Sequence, residues 1–100
     1  RYVMAEGGQA QVPLASELDF IRHYVALQRL RLDDSVNVQF TVEGQPNGLQ
    51  IAPLLLISFI ENAFKYGVSP QEPSQIAILL RVAGGRLLAQ ISNRKVQVFQ

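Results

Sequence analysis

One hundred residues, 48% hydrophobic and 17% charged, suffice for one small folded domain and are too apolar for a disordered segment. The net charge is +1 and the nine basic residues are dispersed, which provides no basic stripe for a nucleic-acid backbone. The absence of cysteine excludes disulfides and thiolate metal sites and fits a reducing compartment, the single histidine (His23) excludes a multi-histidine metal site, and the longest apolar run, Ile51 to Ile60, falls well short of the roughly 20 residues of a membrane span.

Arg1-Tyr2-Val3-Met4, with no initiator Met, reads as the end of something longer, and Glu6 to Gln11, with Gly7 and Gly8, reads as a flexible joint. Pro13 then precedes a helical pattern from about Leu14 to about Arg31. Leu14, Leu18, Ile21, Val25 and Leu32 make its apolar stripe, which Phe20, Tyr24 and Leu27 widen. Glu17 lies in the first turn, where a carboxylate suits the helix dipole, and Arg22, Arg29 and Arg31 lie toward the outer side. The helix should stop before Asp33-Asp34-Ser35.

Val36, Val38, Phe40 and Val42 alternate with polar residues, the signature of a half-buried strand. Gly44 to Gly48, with Pro46 and Asn47, reads as a turn. Pro53 suits the first position of a second helix, and Gly67 suits a left-handed cap at its end. Ser69 to Ser74 is a loop, Gln75 to Ala83 a central strand, Gly84-Gly85 a two-residue hairpin turn, and Arg86 to Asn93 the returning strand, with Leu87, Ala89 and Ile91 on one face. Val96 to Phe99 is too short to assign. Two helices covering one face of a mostly antiparallel sheet predict an α+β two-layer sandwich.

The chemistry concentrates in Glu61-Asn62-Ala63-Phe64-Lys65-Tyr66-Gly67. At about 100° per residue, Ser58, Glu61, Asn62, Lys65 and Tyr66 fall within one polar stripe, opposite Leu56, Phe59, Ile60, Ala63 and Phe64. A buried helix that turns such a stripe toward a cavity can build a ligand site. Asn62 and Lys65 also fit an ordinary helix end, with Lys65 complementing the dipole. Glu61 also fits a solvated or salt-bridged carboxylate, Tyr66 core or rim packing, and Asn93 the turn chemistry of a strand end. His23 reads as a surface or half-buried helix residue.

Three pieces in this order resemble the autolysin-regulator-type (LytS-like) sensor histidine kinases. Arg1-Tyr2, then Val12-Pro13-Leu14 with Glu17-Leu18, Ile21, Tyr24 and Arg31, resembles the join between their dimerisation helices and ATP-binding domain. Ile51-Ala52-Pro53-Leu54-Leu55-Leu56 running into the heptad resembles their N-box, and Ile91-Ser92-Asn93 resembles the approach to their adenine-reading box. The resemblance implies the Bergerat-type (GHKL) sandwich, with residues 1–12 ending a dimerisation helix and linker and residues 13–100 forming the first part of the ATP-binding domain.

By position, Asn62 would bind Mg²⁺ through its side-chain carbonyl, Glu61 would bind the metal through water or orient neighbouring groups, and Lys65 would meet the phosphates of ATP. Tyr66 stands where the family usually has His and would line the same pocket. Asn93 falls near the adenine-reading Asp and could still accept from the adenine amino group. Ser58 occupies the general-base position of the hydrolysing relatives and cannot serve as a base at neutral pH.

The activity implied is ATP-dependent phosphorylation of a histidine outside this chain, followed by transfer to a response regulator. The parent would be a homodimer anchored in the cell membrane, with this stretch in a cytoplasmic domain that touches neither nucleic acid nor the membrane. The family's glycine-rich boxes, lid and phosphoacceptor motif are not among these residues, so the stretch by itself is expected to be inactive and to bind nucleotide weakly or not at all. The alternative is a non-catalytic scaffold that pairs through an open sheet edge.

Overall fold

The computed structural model describes residues 11–69 and 71–95. The readings made above for residues 1–10, for Pro70 and for Val96 to Phe99 lie outside them. Seven elements follow in order: β1 (Val12–Pro13), α1 (Leu14–Arg31), β2 (Val36–Glu43), β3 (Gln50–Ile51), α2 (Leu55–Gly67), β4 (Ser74–Ala83) and β5 (Arg86–Lys95). The fold is α+β, as the periodicities predict, and two of the three strand pairings among the described residues are antiparallel.

The main sheet has the order β2-β4-β5. β2 and β4 run parallel, from Val36↔Ser74 to Glu43↔Arg81, because α2 provides the crossover between them. β4 and β5 form the hairpin, and Gly84 and Gly85 both hold the positive φ (58° and 72°) that a two-residue turn of this kind requires. A small second ladder pairs Val12 with Ile51 and Pro13 with Gln50. It joins the stretch before α1 to the stretch before α2, and the Leu14 N–H adds a bond to the Leu49 carbonyl at 2.9 Å.

One face of the sheet meets both helices. Ile76, Ile78 and Leu80 of β4 are buried against Leu14, Leu18, Ile21 and Val25 of α1 and against Leu56, Ile57, Ile60, Ala63 and Phe64 of α2. Val38, Phe40, Val42, Leu87 and Ile91 close the margins of this core. Tyr24 meets Phe64 edge-on, with ring centroids 5.7 Å apart. The opposite face carries Gln39, Thr41, Glu43, Arg81, Gln90 and Ser92 and remains open. After α1 the chain turns at Asp33, whose carboxylate accepts from the Ser35 N–H at 2.9 Å.

Four local expectations are corrected. Pro53 is not the first residue of α2; the helix begins at Leu55, behind Leu54 with φ 63°. Gly67 is not a left-handed cap; it is the last helical residue, followed by extended Val68. Its glycine is required by proximity instead, because a Cβ at this position would overlap the Cβ of Asn93. Phe20 and Leu27 do not widen the buried stripe of α1, since they are 51% and 61% exposed. Phe59 is likewise outside the core, at 56% exposure, because the core side of α2 is filled by residues 56, 57, 60, 63 and 64.

Candidate functional site

The polar stripe of α2 divides in two. Phe59, Asn62 and Tyr66, spaced three and four apart, face β5 and line a cleft of about 210 Å³ together with Ala63, Ile91 and Asn93. Ser58, Glu61 and Lys65 are exposed on the neighbouring strip and do not line it. Helical geometry explains the split, since side chains three and four apart share a face while adjacent ones diverge.

Asn93 enters from β5, within the strand and opposite Ile76, which excludes a role in a strand-end turn. Its Nδ2 donates to the Ala63 carbonyl at 3.2 Å. This bond ties β5 to α2 and leaves Oδ1 as the acceptor available to the cleft. Gly67 permits the close approach. The floor is apolar (Ala63, Ile91) and the rim holds two amides and two aromatic rings, a lining suited to a flat ring with a polar edge.

Lys65 reaches sideways and places its Nζ 5.2 Å from the Tyr66 ring centroid, a cation–π contact at the mouth of the cleft. Tyr66 is 65% exposed there. Glu61 is exposed and does not line the cleft, and its charge is felt by Tyr24 of α1. Burial pushes the Tyr24 phenol above its ordinary pKa, the Glu61 carboxylate adds to this, and the Arg31 guanidinium opposes it. Ser58 donates its hydroxyl to the Leu54 carbonyl at 2.8 Å, one turn back along the helix.

The structure therefore brings together Asn62, Tyr66 and Asn93, with Lys65 at the margin, and leaves Glu61 apart. No group of three or more His, Asp or Glu able to hold a metal exists among the described residues. Larger clefts on the open sheet face (about 300 Å³) and at the C-terminal end of α1 (about 360 Å³) contain none of the sequence-predicted site residues. Sequence reasoning missed Phe59 and Ile91. The spacing of Phe59 to Asn62 and Tyr66 carried the signal, but its apolar character assigned it to the core. Among the described residues no helix is long and apolar enough to cross a membrane.

Comparison with known proteins points one way. Residues 1–36 match the family described as Histidine kinase. A protein named "Uncharacterized sensor-like histidine kinase" from Staphylococcus epidermidis (strain ATCC 12228 / FDA PCI 1200) is 34% identical over 76 residues, 76% of this chain and 15% of that protein. "Sensor protein kinase HptS" from Staphylococcus aureus (strain USA300) is 35% identical over 72 residues, 72% of this chain and 14% of that protein. The chain is thus a relative of the sensor histidine kinases, and it spans only about one seventh of the length of these relatives. No solved structure matches it significantly.

Proposed function

We propose that this chain is part of the ATP-binding domain of a two-component sensor histidine kinase of the LytS-like type, and that α2 and β5 form one wall of its nucleotide site. The observation that carries this reading is the shared cleft: Asn62 and Tyr66 from α2 meet Asn93 from β5 across about 210 Å³.

The residues fit the ligand. Asn62 presents a hard amide oxygen suited to Mg²⁺, an ion usually held by few protein groups together with phosphates and water. Lys65, resting against the Tyr66 ring, is a mobile cation for the phosphates. Phe59 and Tyr66 offer ring faces to a base, and Asn93 Oδ1 accepts from an exocyclic amino group while Nδ2 stays on Ala63. Bound Mg²⁺-ATP would supply the phosphoryl group. The chain's own part is to orient it and balance its charge.

The Ser58 hydroxyl, bonded to the Leu54 carbonyl, offers no general base for water. That favours transfer to a histidine outside this chain over hydrolysis. The parent would then be a membrane-anchored homodimer with this domain in the cytoplasm, and a response regulator would take the phosphoryl group from its histidine. This stretch alone would be inactive.

A scaffold reading draws on the sheet edge. β5 pairs on one side only among the described residues, whereas Val38 of the opposite edge strand has its carbonyl covered by Arg29 at 3.0 Å. Calorimetric titration of the full-length protein with Mg²⁺-ATP separates the two. Micromolar binding that Asn62→Ala abolishes supports the kinase reading. A folded wild type that does not bind sinks it and favours the scaffold.

A further inference from the structure

We infer that Glu17 is a positioning residue for the cleft: its buried carboxylate holds the left-handed turn at Leu54 and so fixes the point and direction from which α2 sets out. This rests on the kinase reading for its functional consequence, but not for its geometry. Glu17 is 2% exposed, and its Oε1 accepts from the Leu54 N–H at 3.0 Å, across 37 residues of chain. A buried carboxylate is costly unless its oxygens are bonded, so this contact restricts both partners.

Leu54 is the only non-glycine residue with positive φ among the described residues. A leucine gains nothing from φ 63°, and its side chain is 48% exposed, so burial does not hold it there. No side-chain cap from Leu54 itself closes the start of α2. The acceptor comes from α1, and its negative charge also complements the N-terminal end of α2. The adjoining β1–β3 ladder fastens the same two stretches. α1 thereby sets the origin of the helix that carries Phe59, Asn62 and Tyr66.

The test uses amide hydrogen exchange on the full-length protein without nucleotide, followed by Mg²⁺-ATP titration. Glu17→Ala should speed exchange over residues 54–58 about tenfold or more, ahead of the rest of α2 and of β4, and weaken Mg²⁺-ATP binding. Glu17→Gln, which keeps an acceptor oxygen but loses the charge, should fall between wild type and Glu17→Ala. The decisive variant is Glu17→Ala with Leu54→Gly. Glycine adopts the left-handed turn without a tether, so protection and affinity should return. If Glu17→Ala does not fold, recovery of folding in the double variant supports the assignment equally.

Failure of Leu54→Gly to restore either property overturns it, as does faster exchange spread evenly over both helices. Should the exchange pattern hold while wild type ignores Mg²⁺-ATP, the tether stands and the kinase reading falls.

Discussion

The two helices treat their exposed faces differently. α1 buries Leu14, Leu18, Ile21 and Val25 and leaves Phe20, Leu27 and Leu30 in the open, with no described element opposite them. α2 buries Leu56, Ile57, Ile60, Ala63 and Phe64, but its open stripe of Phe59, Asn62 and Tyr66 stands against β5, where Ile91 and Asn93 complete a cleft. Exposed aromatic groups on a helix do not make a site. A site arises where such a stripe meets polar atoms from a second element, held at a separation set by the core.

The largest effects should come from the shared core and be blind to the difference between helices. Leu18→Ala on α1 and Ile60→Ala on α2 each remove a fully buried side chain and should cost about 2–5 kcal/mol in urea unfolding. Leu27→Ala, on the open face of α1, should stay within about 0.5 kcal/mol. A larger loss there would mean that this face is covered in solution.

Gly67→Ala tests the close approach of β5. In an exposed helix the change would stabilise, but here the new methyl meets Asn93, so a loss of about 1–3 kcal/mol is expected by thermal unfolding. Asn93→Ala removes the bond to the Ala63 carbonyl and should cost about 0.5–1.5 kcal/mol. Pairing it with Gly67→Ala should relieve part of the overlap, so the double variant should be more stable than the sum of the two losses.

The smallest effect concerns the contact between the helices. Tyr24 has its pKa raised in the folded chain, so its contribution to stability is complete below the ordinary value of 10.0 and is lost as pH climbs through the folded value. Glu61→Gln removes the second cause and leaves burial, so the Tyr24 titration followed by NMR should move down only part of the way toward 10.0. No movement would mean that the Glu61 charge does not act on Tyr24.

Much of this was legible in the sequence. The bounds of α1, the alternation of β2, the Gly84-Gly85 turn and the α+β class follow from periods and turn chemistry that act over a few residues. Asn62, Tyr66 and Asn93 were also readable as candidates. Phe59 was misread because its apolar side chain says nothing about which flank of a helix faces the core. Gly67 was misread because helix-end glycine usually signals a left-handed turn, and only Asn93, distant in sequence, reveals the steric reason.

Glu17 marks the boundary between the two kinds of information. A first-turn carboxylate reads as a partner for its own helix dipole, yet it bonds the backbone at the start of the other helix. The sequence by itself determined the two helices and the three long strands, since those choices rest on local backbone preference and the period of hydrophobic burial, but not the short β1–β3 ladder, which forms only by pairing across the chain. The tertiary structure alone decided that β2 runs parallel to β4, that Asn62 faces the cleft while Glu61 does not, and that Leu54 turns left-handed under Glu17. Those outcomes depend on close packing between residues far apart in the chain, where a single side chain's contacts outweigh its local propensity.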